Sequence, residues 1–210
     1  MRIIVTAGPT REYIDDVRFV SNASSGRMGW AVCRQALARG HDVQLFSGPV
    51  CLDPPEGVRF EAFESVDELY GLLAGALERA DCLVMAAAVG DYIPAERIKG
   101  KHKKLPKWTL ELLPARDVLV SLVPLKGERV FVGFAVEAEN AIENARGKLA
   151  AKSLDMIVVN SPESIGASQA GFRLVLPEGP ARELGVISKE RMAQILLDEA
   201  ERLFEHRREA

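Results

Sequence analysis

The sequence predicts an α/β domain with a Rossmann-like, mostly parallel sheet covered by helices on both faces. Three observations carry this. Apolar runs of strand length alternate with segments of helical periodicity, the pattern of a doubly wound sheet. The 210 residues, 48% hydrophobic and 27% charged, are enough for one sizeable core. No internal repeat, low-complexity tract or shift in composition divides the chain, so a single domain over residues 1–210 is expected.

Taken in order, Arg2–Ala7 reads as the first strand and ends in a turn at Gly8. Helical spacing over Gly26–Arg39 comes next, then strands at Asp42–Ser47 and Arg59–Ala62, a helix at Val66–Ala80 and a strand at Cys82–Ala88. Residues 90–114 break the rhythm, with Thr109–Leu113 alternating like a short strand. A functional insertion is expected there, including a basic flap over residues 92–108. The alternation resumes with helix Arg116–Val123, strand Val130–Ala135, helix Ala138–Ala151, and strands Asp155–Asn160 and Arg173–Leu176. The last helix, Lys189–Arg207, leads into a fraying tail.

Lys plus Arg number 27 and Asp plus Glu 30, a formal net charge of -3. No global positive field therefore draws the molecule to nucleic acid or anionic lipid, and any anion site is local. Cys33, Cys51 and Cys82 are odd in number and lack C-x-x-C spacing, which points away from a disulfide framework or thiolate zinc site and toward a reducing cytoplasm. No signal-peptide core is present, and no apolar run approaches the roughly 18 residues of a membrane span.

Four stretches could carry chemistry. Small residues from Ser21 to Gly29 open a helix, where backbone N–H groups, Ser24 and Ser25 favour a phosphate or carboxylate; the plainer reading is a capped loop packed tightly through its glycines. Met85-Ala86-Ala87-Ala88-Val89-Gly90-Asp91 ends a strand in side chains small enough for a flat ligand to approach, with Asp91 able to accept from a ribose hydroxyl or help hold a metal; the plainer reading is a crowded strand end with Asp91 capping a turn. From Arg97 to Lys107 six basic residues occur without an acid, as a lid over a polyanion, a solvated charge run or a nucleic-acid patch would require. At about 100° per residue, Ala138, Ala141, Ile142, Ala145 and Leu149 form one apolar arc, with Lys152 inside it and Lys148 at its border. An anion between the two lysines would offset their repulsion; snorkelling stems are the alternative.

His41, His102 and His206 show no metal spacing, and no G-x-S-x-G elbow supplies an acyl-transfer nucleophile. A nicotinamide- or flavin-dependent oxidoreductase is the main rival reading, but G-x-G-x-x-G is missing and none of Tyr13, Tyr70 or Tyr92 has a Lys four residues later. A non-enzymatic nucleotide- or nucleic-acid-binding module is the second rival.

Read together, these segments resemble the phosphopantothenate–cysteine ligases of coenzyme A biosynthesis. The matching motifs run in order: Val5 to Glu12, Asp16 to Gly29, Ala86 to Tyr92, Lys101 to Lys104, and Val132 to Glu137. The resemblance implies a cytoplasmic homodimer that joins 4′-phosphopantothenate to L-cysteine through an acyl-cytidylate. CTP would be the co-substrate and Mg²⁺ the cofactor, with neither nucleic acid nor membrane as partner. The motif begins at residue 2, so a flavin-dependent decarboxylase, fused ahead of the ligase in many bacteria, is expected as a separate polypeptide.

Residue by residue, the resemblance implies catalytic roles for Asn22, Arg18 and Lys101. It implies nucleotide contacts at Met85, Ala86, Ala87, Asp91, Lys101, Ala115, Arg116, Asp117, Val118, Phe134, Lys148 and Lys152. Gly8, Asn22, Ser24, Ser25 and Gly26 are the expected substrate-binding residues, and no metal ligand is assigned. Three positions depart from the usual pattern: Gly90 replaces Ser or Ala, Ala115 to Val118 keep only the Asp of Asn-Pro-Asp-Ile, and Arg27 stands where Lys is common.

Overall fold

A row of fully buried side chains crosses the molecule in register: Leu45, Val5, Val84, Val132 and Met156. Removing each from water contributes about 1.5–3 kcal/mol, and the row fixes the pairing because a one-residue slip would turn every member to the other face. The computed structural model describes residues 1–209. In chain order the elements are β1 (Arg2–Ala7), β2 (Arg11–Tyr13), β3 (Phe19–Ser21), α1 (Arg27–Ala38), β4 (Asp42–Ser47), β5 (Arg59–Ala62), α2 (Val66–Ala76), β6 (Cys82–Met85) and β7 (Tyr92–Pro94). Then come β8 (Leu112–Pro114), α3 (Val118–Leu122), β9 (Val130–Val136), α4 (Ala141–Ala151), β10 (Met156–Asn160), β11 (Gln169–Val175), β12 (Arg182–Ser188) and α5 (Lys189–Glu209).

The main sheet has the order β12-β11-β10-β9-β6-β1-β4-β5, parallel from β10 to β5 and antiparallel at β11 and β12. From β1 the chain moves to β4 and β5, then returns to place β6 on the opposite side of β1, a switch point of the kind that opens a crevice at the carboxyl ends of the strands. α1 and α5 cover one face, burying Trp30, Val32, Met192 and Leu196 with the Val5 row. α2, α3 and α4 cover the other, burying Leu69, Val118 and Ala145 with Ile4, Leu83 and Phe131. The expected single α/β architecture is therefore observed.

Boundaries differ from the sequence reading for local reasons. β6 stops at Met85, because Ala86 to Ala88 leave the ladder and Ala88 instead bridges Pro9. α1 starts at Arg27, with Gly26 in the left-handed region at φ 71° and no side-chain cap. α3 starts at Val118, since Asp117 caps it by accepting from Val120 N at 3.1 Å. α4 begins at Ala141 after left-handed Asn140, which leaves Ala138 outside the helix. The β12 edge strand and the β2–β3 pair went unpredicted, and the expected Thr109–Leu113 strand is shifted to Leu112–Pro114, paired with β7.

At the pole opposite the crevice, buried Asp155 accepts from Lys126 Nζ at 2.9 Å and Phe131 N at 2.7 Å and pairs with Arg207 near the end of α5. This carboxylate joins the starts of β9 and β10 to the closing helix.

The basic flap is latched to the segment between β2 and β3. Fully buried Asp15 accepts from Val17 N at 2.8 Å, Arg18 N at 2.7 Å, Arg18 Nη1 at 3.1 Å and His102 N at 3.1 Å. Asp16 accepts from Gly100 N at 2.8 Å and Arg97 Nη2 at 3.2 Å. His102 stacks on Trp108 with ring centroids 4.3 Å apart, and the Arg18 guanidinium lies 5.7 Å from the Trp108 centroid. Burial alone would raise the Asp15 carboxyl, but its N–H donors and the Arg18 charge outweigh burial and hold it below the usual carboxylate range.

Two outcomes follow from this packing. A Cβ on Gly29 would lie 2.5 Å from Ala7 Cβ and 2.8 Å from Thr6 O, so Gly29→Ala forces α1 off β1. The overpacking costs about 1–3 kcal/mol despite alanine's helix propensity, and calorimetry should read a midpoint lowered by about 3–10 °C. Asp15 ionises more easily folded than unfolded, so its stabilisation is present above its unfolded value near pH 4 and fades as pH falls through the lower folded value. Asp15→Asn should expose residues 97–108 to protease at neutral pH and flatten the acid limb of a thermal-midpoint profile; wild-type cleavage would show that the latch is dispensable.

Candidate active site

A cavity of about 590 Å³ opens at the carboxyl ends of β6 and β9 and runs along α4. Its position follows from how the loops after β1 and β6 are laced. Thr6 Oγ1 accepts from Ala87 N at 3.0 Å, Ala88 N donates to Gly8 O at 2.8 Å, and Thr10 Oγ1 accepts from Gly90 N at 2.9 Å. These bonds hold the small residues after β6 in a fixed curve beside the start of α1.

The cavity brings together Asn22, Ser24, Ser25 and Gly26 before α1 with Met85, Ala86, Ala87 and Asp91 after β6. Ala115, Arg116, Asp117 and Val118 at the start of α3, Phe134 on β9, and Lys148 and Lys152 on and just after α4 complete the expected set. Three expected residues are not among its lining. Gly8 lies behind the wall, where its carbonyl holds Ala88, while Arg18 sits on the segment between β2 and β3, paired with Asp15, and Lys101 on the flap latched to it. Arg27, Asn160, Ser164, Gly166 and Lys189 line the cavity but were not assigned from the sequence. Arg27 lies in the Ser21–Gly29 stretch without having been assigned a role, while Asn160, Ser164 and Gly166 come from the end of β10 and the turn after it and Lys189 from α5, where no local pattern announces them.

Both Asn22 Nδ2 hydrogens are committed, to Ala88 O at 3.2 Å and Val89 O at 3.0 Å. Only an amide nitrogen can serve two carbonyls, so the orientation is determined and Oδ1 is the end left to accept from a ligand.

The lysine pair is more exposed and better compensated than the helical wheel implies. Lys148 Nζ donates to Glu137 at 2.5 Å, and Lys152 Nζ pairs with Asp117 at 2.9 Å. Their side chains are 42% and 26% exposed, so Lys148 does reach water. The Lys148 hydrogen bond, opposed by burial and aided by Asn144, holds the Glu137 carboxyl below its usual range. Each lysine already has a carboxylate, and a polyphosphate would exchange with that partner rather than relieve a bare repulsion. Arg116 turns away to pair with Asp67 at 2.9 Å and stack on Tyr70. Among the described residues, no group of three or more His, Cys, Asp or Glu is arranged to hold a metal ion, and no helix is long and apolar enough to cross a membrane.

Comparison with known proteins places the chain in a family. The chain is 39% identical over 196 residues to the coenzyme A biosynthesis bifunctional protein CoaBC of Bacillus subtilis (strain 168), covering 89% of this chain and 48% of that protein. It is 34% identical over 208 residues to the protein of the same name from Escherichia coli (strain K12), covering 95% and 51%. The chain thus spans about half the length of the curated relatives it matches. The solved C-terminal domain of CoaBC superposes with a TM-score of 0.85 at 34% identity, covering 98% of this chain and 96% of that one. A Cab2 mutant in complex with phosphopantothenate-cysteine gives 0.80 at 16% identity, covering 98% and 88%, a likeness of fold alone. The family model described as the DNA/pantothenate metabolism flavoprotein C-terminal domain matches residues 1–203, and the chain belongs to that family.

Proposed function

We propose that the chain is a phosphopantothenate–cysteine ligase of coenzyme A biosynthesis, joining 4′-phosphopantothenate and L-cysteine with CTP as co-substrate. The observation that carries this reading is the meeting of Asn22, Asp91, Lys148 and Lys152 in one cavity, on a domain that superposes on the C-terminal domain of CoaBC. In the first step a carboxylate oxygen of the acid attacks the α-phosphorus of CTP and pyrophosphate leaves. In the second the cysteine amine attacks the acyl carbon, the bond to CMP breaks, and an amide forms as the amine loses a proton. The nucleotide is the leaving group, so no enzyme nucleophile is needed.

The residues then have physical roles. Ala86 and Ala87 leave room for a flat base, and Lys148 and Lys152 oppose the charge of the triphosphate; Lys101, outside its own chain's cavity, would join them from a second copy. Asn22, with its amide nitrogen tied to Ala88 and Val89, presents Oδ1 as an acceptor for the incoming amine. Among the described residues the donor set does not fit a metal caged by protein side chains. Mg²⁺ enters this reading only as a companion of the triphosphate, and no step is routed through it.

A homodimer is part of the proposal. The paired short strands and the segments beside them carry exposed Val17, Phe19, Tyr92, Leu105, Leu112 and Leu113, an apolar surface suited to a second copy. Arg18 and Lys101 lie on these same segments, outside their own chain's cavity. A reducing cytoplasm is proposed as the compartment, supported by three unpaired cysteines, and a flavin-dependent decarboxylase as the consumer of the product.

The test is pyrophosphate release that requires both CTP and 4′-phosphopantothenate, followed by amide formation that requires L-cysteine. Asn22→Asp or Asn22→Ala should let the acyl-cytidylate accumulate; amide formation at the wild-type rate refutes the role. Lys101→Gln should slow pyrophosphate release about 10- to 100-fold, the loss of one charge-assisted contact.

A further inference from the structure

Two large apolar side chains that line the cavity are left half in water. Val136, the last residue of β9, is 48% exposed, and Ile165, in the turn after β10, is 49% exposed. The neighbouring apolar lining is covered by the protein itself: Phe172 is buried, and Met28 and Phe134 pack against the α1–α5 core. Side chains along a strand alternate between the two faces of a sheet. Val132 and Phe134 belong to the α1–α5 core, so Val136, two residues further along β9, faces the same way. Ser24, Ser25 and Gly26, the residues expected to meet the acid substrate, precede α1 and line the same cavity.

The exposure of Ile165 is fixed by its turn, which is gripped on either side of it. Lys189 Nζ donates to Ser164 O at 3.4 Å and Asn160 Nδ2 to Ser164 Oγ, while Arg27 Nη1 donates to Gly166 O at 3.1 Å. Gly166, left-handed at φ 77°, lets the backbone turn back toward Ser168, whose carbonyl accepts from Lys189 N at 3.2 Å. Residues of α1, β10 and α5 thus hold an isoleucine outward at the lip of a cavity, beside a core that could have taken it. An aliphatic side chain presented on a fixed backbone gains burial only from something that enters the cavity.

We propose that Ile165 and Val136 form an apolar clasp on the branched aliphatic middle of the acid substrate and set the specificity for its carbon skeleton. The inference rests on the ligase reading above and deepens it. 4′-Phosphopantothenate is ionic at both ends, and between them lies a quaternary carbon bearing two methyl groups, a part of the molecule that charge cannot recognise. Val136 is paired in register with Asn160, the last residue of β10, so the two lips of the clasp spring from adjoining strand ends. An apolar wall with a few polar groups to fix orientation is the usual build of a small-molecule site. Each methyl withdrawn from water there strengthens binding about fourfold.

The experiment is calorimetry on wild type, Ile165→Ala, Ile165→Leu and Val136→Thr, with and without α,β-methylene-CTP, which binds as a nucleotide without releasing pyrophosphate. The probes are 4′-phosphopantothenate and its analogue with both methyls replaced by hydrogen. Wild type should prefer the natural acid about 5- to 15-fold. Ile165→Ala should weaken the natural acid about 5- to 10-fold and the analogue less than about twofold, so that the preference largely disappears. Val136→Thr should act in the same direction, and Ile165→Leu should retain most of the preference. An equal loss for both acids, no loss for either, or a matching loss of α,β-methylene-CTP affinity overturns the clasp. Methyl discrimination that depends on Ile165, in a wild type without CTP-dependent pyrophosphate release, would remove the ligase reading alone. Normal release with the preference kept in the variants would remove the clasp alone, and failure of wild type to bind either acid in both conditions would remove the two together.

Discussion

The segments following β1 and β6 are laced together by hydrogen bonds, and the cavity depends on that lacing. A Cβ at Gly48 would come within 1.9 Å of Pro9 O, so the turn after β4 lies directly against the segment after β1. With that segment pressed inward, Thr6, Gly8 and Thr10 can reach Ala87, Ala88 and Gly90. The carbonyls of Ala88 and Val89 are thereby held where Asn22 can grip both. A larger residue at position 48 would act first on packing and only through it on chemistry.

The electrostatics of the site are a set of prepared exchanges. Lys148 and Lys152 are only partly withdrawn from water, and each rests on a carboxylate, Glu137 and Asp117. Asp117 also caps α3, so displacing its contact with Lys152 leaves the carboxylate with a second hydrogen-bond partner in place. On the α1–α5 side of the cavity, Arg27 donates to the Gly166 carbonyl and Lys189 to the Ser164 carbonyl, and among the described residues neither is paired with a carboxylate.

The central sheet was legible because parallel strands buried on both faces read as continuous apolar runs, as Ile3 to Ala7 and Cys82 to Met85 do. β12 was not legible, because an edge strand such as Arg-Glu-Leu-Gly-Val-Ile-Ser is largely exposed and carries no such run. Nor were β2 and β3, each three residues long and paired chiefly with the other. Within the site, helical spacing placed Lys148 and Lys152 on one side of α4. Their carboxylate partners come from the end of β9 and the start of α3, and such tertiary pairings leave no trace in local periodicity. Asn22 was legible only as part of a long motif, since a single Asn in a small-residue loop has many ordinary uses.

α5 is 21 residues long, about 30 Å of continuous helix, with Lys189 at the mouth of the crevice and Arg207 fastened to Asp155 at the far pole. Mechanically it is a strut tied down at both extremities. Its two ends bear on different regions, Lys189 N on Ser168 O beside the crevice and Arg207 on the carboxylate where β9 and β10 begin, so one helix spans from the cavity to the far pole.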